Sequence, residues 1–216
     1  MTAQEALEEI AAEVRVCTKC PLYKGNKNGV PGEGSAEAEV MFIGEGPGFH
    51  EDRQGRPFVG PAGQFLNELL ASIGLDRSTV FITNVVKHRP PENRDPLPEE
   101  ILACGDYLTR QIAALNPKVI VTLGRFSMAR FFPNARISAI HGQAKKIDGR
   151  VVVAMYHPAA ALHQSSLRQT VEEDFRRAIP AALAEARRLA AEGKLNAPKK
   201  DDQRDDSPPP QQLSLF

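Results

Sequence analysis

The sequence predicts an α/β protein of three layers (α/β/α), in which helices cover both faces of a central four-stranded parallel sheet. Short apolar segments alternate with segments of helical periodicity along residues 1–192, which is the pattern of parallel sheets. The predicted strands are apolar throughout, as expected for strands buried on both faces. Polar residues and glycines follow the strands directly, at the edge where such folds bind their ligands.

The N-terminal part begins with a helix from Thr2 to about Val16, because Thr2 and Glu5 match the pattern of a capping box. Frequent glycine and proline then predict a loop from Cys17 to about Ala38. The apolar run Val40–Ile43 is the first strand, and the glycine-rich residues 44–48 follow it at once.

The middle part has apolar spacing for a helix from Ala62 to Ile73 and a strand from Val80 to Asn84. The prolines between Lys87 and Pro96 exclude a helix or a central strand there. The next helix runs from Pro98 to about Leu115, with proline and two glutamates in its first turn. The strand Lys118–Leu123 comes after it.

The C-terminal part is predicted to contain a short helix from Arg125 to Phe132, a strand at Val151–Met155 and a long helix from Ser166 to about Glu192. We therefore expect one domain over residues 1–192. Residues 193–216 are low in apolar residues and include three consecutive prolines, which predicts a disordered tail.

The composition and charge of the chain argue against several classes of protein. A formal net charge of zero argues against a protein that coats nucleic acid without specificity, although local basic loops leave DNA binding open. The chain has no apolar run of about 18 residues, and its polar, acidic start does not match a signal peptide, so we expect a cytoplasmic protein. Three cysteines argue against a disulfide framework, and the pair Cys17 and Cys20 suits a metal, a cluster or a redox dithiol.

Several residues near strand ends are candidates for a site. Taken singly, each also has a purely structural explanation: residues 44–48 as a tight turn, Asn84 as a turn residue, His157 as a cap and Phe58 as part of the core. Their joint order is more specific than any one of them. The motifs are Gly44-Glu45-x-Pro47-Gly48, Glu51-Asp52, Gly55-x-Pro57-Phe58-Val59-Gly60, Asn84-Val85-Val86-Lys87, Arg89-Pro90-Pro91, Asn93-Arg94 and His157-Pro158.

With these motifs the sequence resembles the family-4, iron–sulfur uracil-DNA glycosylases of bacteria over roughly residues 5–185. The resemblance implies a monofunctional enzyme of base excision repair, which hydrolyses the N-glycosidic bond of uracil after the nucleotide has flipped out of single- or double-stranded DNA. It also implies a monomer that does not associate with membranes.

The resemblance implies a role for each site residue. Phe58 stacks on the uracil, Gly44 and Gly46 line its pocket, and the Asn84 amide reads O4 and N3–H together. His157 donates to O2 as negative charge develops on the leaving base. Glu45 either stabilises the positive sugar or orients the attacking water, and the sequence leaves both roles open.

The segment after His157 is expected to enter the DNA minor groove. Leu162 or His163 would fill the gap left by the flipped base, and Arg168 would contact a phosphate.

The family carries a [4Fe–4S] cluster on four cysteines, and this chain departs from that pattern. Cys17, Cys20 and Cys104 match three of the ligands, and His88 occupies the fourth position. Histidine replaces cysteine as an iron ligand in Rieske centres. Three outcomes stay open: His88 is the fourth ligand, the cluster is labile on three cysteines, or it is absent.

The sequence offers two alternatives to a glycosylase. A uracil-DNA binding protein without catalysis could dispense with Glu45, and a covalent binder of the related branch uses a histidine in an insertion that this chain lacks. An electron-transfer protein is disfavoured by the ligand spacing, which is unlike that of ferredoxins.

The chain ends in Gln212-Leu213-Ser214-Leu215-Phe216. These residues resemble the pentapeptide that bacterial repair proteins insert into the sliding clamp, with Leu213, Leu215 and Phe216 as apolar anchors.

Overall fold

The computed structural model describes residues 1–195, so the predicted clamp-binding residues 212–216 lie outside the described part of the chain. Within it, one sheet has the strand order β1-β3-β2-β4-β6-β5. The strands are β1 (Glu33–Gly34), β2 (Val40–Gly44), β3 (Phe81–Asn84), β4 (Val119–Leu123), β5 (Gln143–Ile147) and β6 (Arg150–Met155).

The predicted four-stranded parallel centre is confirmed, because β3, β2, β4 and β6 pair in parallel. Two antiparallel edge strands, β1 and β5, complete the sheet and were not predicted. β1 has only two residues, and four of the five residues of β5 are exposed. Neither strand therefore has the apolar run by which the central strands are recognised.

The helices agree closely with the predicted boundaries where the apolar pattern is long. The described residues contain α1 (Ala3–Arg15), α2 (Phe49–Gln54), α3 (Pro61–Ser72), α4 (Pro98–Leu115), α5 (Arg125–Ala129), α6 (Ile137–Ile140), α7 (Pro158–His163) and α8 (Ser166–Ala191). The capping box of α1 is present: the Glu5 N–H donates to the Thr2 hydroxyl, and the Thr2 N–H donates to the Glu5 carboxylate. α5 ends three residues before the predicted Phe132, and α2, α6 and α7 were not predicted.

The central sheet separates two apolar layers. Val40 and Phe42 of β2 face α3 and α8, where Phe42 stacks on Phe175 with ring centroids 6.3 Å apart. Met41 and Ile43 face α4 and α1. This alternation buries both faces of β2 and contributes about 1.5–3 kcal/mol for each fully buried large side chain. Among the described residues, no helix combines the length and the apolar character needed to cross a bilayer.

Candidate active site

The carboxyl ends of the parallel strands form one wall of a cavity of about 510 Å³. Glu45 follows β2, Asn84 ends β3 and His157 follows β6, and all three line this cavity together with Phe58 and Gly46. The structure thus brings together the residues that the motifs single out. A second cavity, of about 450 Å³, lies between β5 and α8 and contains none of them.

Asn84 offers a buried acceptor that has no partner within the protein. Its side chain is 1% exposed, and Oδ1 has no hydrogen-bond partner among the described residues. A buried acceptor left unpaired costs about 1–3 kcal/mol, so the site is built for a ligand that brings a donor.

The absence of a side chain at Gly44 lets two groups of the cavity approach the backbone of β2. A Cβ atom at Gly44 would collide with Oδ1 of Asn84, and it would come within 2.6 Å of the Phe58 ring. The backbone of β2 thereby lies directly against both groups that are expected to hold the base. Gly46 is similarly close to Val86, with 2.8 Å from a Cβ atom at Gly46 to Cγ2 of Val86.

Phe58 is held in a backbone conformation that large side chains rarely adopt, with φ of 51°. Arg77 donates from Nη1 to the Phe58 carbonyl oxygen over 3.0 Å. The next two backbone N–H groups, of Val59 and Gly60, donate to Oε1 of Glu51 over 2.8 Å each. These bonds fix the Phe58 ring in the wall of the cavity.

Glu51 has a structural role in the site that was not predicted from the sequence. Besides its bonds to Val59 and Gly60, its Oε2 accepts from the Gly48 N–H over 3.2 Å. One carboxylate therefore joins the glycine-rich loop to the Phe58 loop. The signal that could have indicated this role is its position as the third residue of a short helix, where a glutamate reaches back to the N-cap.

His157 presents a neutral imidazole whose tautomer is set by the backbone. Burial lowers the pKa of His157 to about 4, and the nearby charge of Glu51 acts in the opposite direction. The Ala159 N–H donates to Nδ1 over 3.1 Å, so the ring proton resides on Nε2. The ring also stacks on Phe58, with centroids 5.5 Å apart. His157 thus supplies an N–H donor without a formal charge.

Glu45 places a carboxylate at the N-terminus of α5. Oε1 accepts from the Phe126 N–H over 3.3 Å, and a Cβ atom at Gly124 would collide with the carboxylate. Burial raises the pKa of Glu45, against the opposing effects of the Phe126 N–H and the Arg125 charge. The same carboxylate can stabilise a positive sugar or accept a proton from water.

The three cysteines converge from different parts of the chain. Cys17 and Cys104 are buried, and Cys20 is half-buried beside Cys104. Burial raises the pKa of Cys104 to about 11, and the nearby backbone and charge of Lys87 act in the opposite direction. Within residues 1–195, no three His, Cys, Asp or Glu side chains are arranged to hold a single metal ion, whereas the ligands of a cluster bind separate irons.

His88 is buried, and burial lowers its pKa, so its imidazole is neutral. Its Nε2 lies near Gly29, in the loop that follows the cysteine pair. Three thiols and a neutral imidazole are donors of the kind that iron–sulfur clusters take. The chemistry of these four donors therefore suits the predicted group.

The residues predicted to contact DNA differ in their surroundings. Leu162 is 45% exposed at the end of α7, and His163 lines the cavity. Arg168 lies outside that lining and forms ion pairs of 3.0 Å with Glu68 and with Glu172, so a phosphate would have to compete with two carboxylates for it.

Comparison with known proteins identifies similar chains. Residues 31–182 match the family described as the uracil DNA glycosylase superfamily. A type-4 uracil-DNA glycosylase of Archaeoglobus fulgidus is 50% identical over 183 residues, which cover 80% of this chain and 92% of the relative. One from Thermotoga maritima is 44% identical over 182 residues, with 82% and 95% covered. A type-5 uracil-DNA glycosylase of Pyrobaculum aerophilum is 33% identical over 180 residues, which cover 75% of each chain.

Proposed function

Since the chain belongs to the uracil DNA glycosylase superfamily, and its enzymatic activity is that of a uracil-DNA glycosylase, we propose that Asn84, His157 and Glu45 recognise and release a uracil flipped out of DNA. This proposal is carried by the buried Oδ1 of Asn84, which has no hydrogen-bond partner within residues 1–195 and lies in a cavity with an aromatic ring and a neutral histidine.

Recognition follows from the two ends of the Asn84 amide. Oδ1 accepts from N3–H of uracil, and Nδ2 donates to O4. Cytosine presents an acceptor at N3 and a donor at the 4-position, so it would leave buried groups unpaired. Phe58 provides the surface on which the pyrimidine stacks, while Gly44 allows Asn84 and the Phe58 ring to lie against the backbone of β2.

Bond cleavage places negative charge on the leaving base and positive charge on the sugar. The Nε2–H of His157 donates to O2, and a donor aimed at developing charge contributes about 3–4 kcal/mol. Glu45 acts on the sugar side, where its ionised carboxylate stabilises the oxocarbenium-like ring or orients water. Burial alone favours the protonated form of Glu45, whereas the Phe126 N–H and the Arg125 charge favour the ionised form that this role requires.

The test is strand cleavage by alkali after incubation with uracil-containing DNA, single- and double-stranded. We expect scission at uracil with the wild type, and a loss of at least about 100-fold for His157→Ala. Glu45→Gln separates the roles of the carboxylate, because an amide can still hydrogen-bond to water but does not neutralise a cation. A wild type that leaves an intact strand after alkali would contradict the proposal.

We further propose that Cys17, Cys20, Cys104 and His88 hold a [4Fe–4S] cluster. When bound, the cluster would link the end of α1, the 17–38 loop and α4 through its iron–ligand bonds. His88→Cys recreates a four-cysteine set, so we expect its iron content after anaerobic purification to equal or exceed that of the wild type. His88→Ala should lose iron faster to a chelator. Equal iron retention in both variants and the wild type would remove His88 from the ligand set.

A final part of the proposal concerns the tail. We propose that residues 1–192 form the glycosylase domain and that Gln212, Leu213, Leu215 and Phe216 bind the bacterial sliding clamp, in a cytoplasmic, monomeric protein. Deleting residues 212–216 should abolish clamp capture in a pull-down and leave uracil excision from free oligonucleotides unchanged. Undiminished capture by the truncated chain would refute this partner.

A covalent or non-catalytic uracil-DNA binding protein is the alternative, and the arrangement of Glu45 disfavours it. A binder has no need of a buried carboxylate on the sugar side of the base. A complex that survives denaturation on a gel would indicate the covalent alternative.

A further inference from the structure

An exposed aromatic side chain stands at the entrance of the cavity. Phe49 begins α2 and is 47% exposed, although it lines the same cavity as Asn84 and Phe58. The edge of His50 packs on it, with ring centroids 5.6 Å apart. Phe49 has no part in the recognition or release of uracil proposed for this cavity.

Two arginines flank this ring. The guanidinium carbons of Arg53 and Arg89 each lie 5.4 Å from the Phe49 ring centroid. Neither arginine is ion-paired with a carboxylate among residues 1–195, in contrast to Arg94 on the same cavity wall, which pairs with Glu100 at 2.7 Å. Arg89 is oriented by a bond of 2.7 Å from Nε to Asn93, which leaves its terminal nitrogens for another acceptor.

An exposed aromatic ring between two arginines that form no ion pair within residues 1–195 is suited to contact a nucleotide. Every nucleobase offers a π-face that stacks on an aromatic side chain, and guanidinium groups bind the phosphates on either side. The chain has no net charge overall, so attraction of DNA depends on local cations of this kind. The distance of 5.4 Å is looser than the 4.4 Å between Arg168 and Phe65, and a base could displace either guanidinium from the ring.

We propose that Phe49, Arg53 and Arg89 bind a nucleotide that flanks the flipped uridine. Its base stacks on Phe49, and its phosphates contact Arg53 and Arg89. This inference rests on the proposed function, because it takes the cavity beside Phe49 as the place of the uracil. It adds a second DNA contact on the side of α2, separate from the α7 residues Leu162 and His163.

The test compares substrates that differ only in the flanking nucleotides. The probes are an oligothymidylate with one central deoxyuridine, and shortened forms that lack nucleotides on the 5′ or on the 3′ side. For the full-length strand we expect Phe49→Ala to lower kcat/KM by at least about five-fold, and Phe49→Trp to restore it. The loss should disappear for the one shortened form that lacks the nucleotide bound at Phe49.

The outcomes separate this inference from the proposed function. If the wild type releases no uracil from any probe, the proposed function fails. If the wild type is active and Phe49→Ala equals it on the full-length strand, the flanking site is refuted. If Phe49→Ala is equally impaired on all probes, Phe49 acts through the shape of the uracil pocket and the flanking site is again refuted. Leu102→Ala, at an exposed residue of α4, is the control for loss of surface apolar area.

The two arginines have their own readout. Each phosphate contact adds about 0.7 to the slope of log affinity against log salt on single-stranded DNA. Arg53→Gln and Arg89→Gln should each reduce that slope by about this amount, whereas Lys145→Gln, on the exposed strand β5, should leave it unchanged. An unchanged slope for both arginine variants would remove them from the proposed contact.

Discussion

Asn84 shows how a single atom can define a ligand. Its carboxamide oxygen is enclosed by β2, β3 and the Phe58 ring, and the described protein offers it no donor. In the proposed function, the N3–H of uracil supplies the missing donor and offsets the cost of leaving this oxygen unpaired. The selectivity of the site is therefore expected to depend on which end of this amide carries the acceptor.

Exchanging the amide for a carboxylate tests this directly. In Asn84→Asp both ends accept, so O4 of uracil would face an acceptor while the 4-amino group of cytosine would gain one. We expect uracil excision to fall by at least about ten-fold, because one buried pair is lost, and the ratio of cytosine to uracil excision to rise. Asn134→Asp, on an exposed turn, is the matched control. Unchanged uracil excision by Asn84→Asp would show that the amide does not read the base.

The neutral His157 has a consequence for stability. Its pKa is about 4 in the folded protein, against about 6.5 when unfolded. Between these values the unfolded chain binds a proton that the native protein does not, so stability falls as the pH decreases from about 6.5 to 4. We expect this histidine to account for up to about 3 kcal/mol of that loss.

Denaturant unfolding at several pH values checks this expectation. The free energy of unfolding of His157→Gln should decline less than that of the wild type over the same interval, because glutamine does not titrate. Parallel curves for the two proteins would mean that the imidazole is not kept neutral by burial.

At the scale of elements, the sequence predicted the long and buried parts well. α4 has the predicted boundaries, and the central strands end within one residue of the prediction, because both depend on apolar periodicity. β5 was missed because its side chains face water. Its signal was the hairpin turn: Asp148 and Gly149 have φ of 47° and 75°, as a two-residue Asp-Gly turn requires.

The site was predictable only in part. The strand-end residues Glu45, Asn84 and His157 could be placed on one edge, because parallel strands present their carboxyl ends together. The contacts that hold Phe58 could not, since Arg77 and Glu51 reach it across loops of irregular backbone. Periodicity gives no information about such loops, which depend on individual hydrogen bonds.

The approach of α3 to the Phe58 loop gives a prediction at this scale. A Cβ atom at Gly63 would collide with the Phe58 backbone, so Gly63→Ala must push the helix or the loop away. We expect it to lower the free energy of unfolding by about 1–3 kcal/mol and to reduce uracil excision as well.

Gly105 in the middle of α4 is the matched control for that substitution. Nothing lies within 4 Å of a Cβ atom there, so Gly105→Ala should stabilise the protein by about 0.5–1 kcal/mol through helix propensity and leave activity unchanged. Similar effects of the two substitutions would contradict the close packing of α3 on the loop.

At the scale of the whole molecule, the cysteines pack against the N-terminal helix and against the segment that contains β3. Cys104 of α4 lies near Lys87, whose backbone and charge act on the pKa of its thiol. The fully buried ammonium of the same lysine donates to the Asn84 carbonyl over 2.8 Å and to Gln111 of α4 over 2.8 Å. Lys87 therefore joins the end of β3 at Asn84 to α4, the helix that carries Cys104.

The packing of α1 depends on the cysteines and on α4 more strongly than the packing of the sheet does. α1 packs on α4, with Cys17, Ile10, Val14 and Tyr107 in one apolar cluster. A half-buried, bidentate pair between Glu13 and Arg110, with both bonds at 2.6 Å, also joins the two helices. Loss of the Cys17 sulfur should therefore weaken the packing of α1 on α4 and leave the packing of β2 and β4 unchanged.

We expect Cys17→Ser to raise amide hydrogen exchange in α1 by at least about ten-fold and to leave the amides of β2 and β4 within about two-fold of the wild type. Arg110→Gln, which removes the pair with Glu13 and a longer one with Asp106, should change exchange in α1 by less than about five-fold. Equal exchange of α1 in Cys17→Ser and the wild type would show that the cysteine group does not hold the N-terminal helix in place.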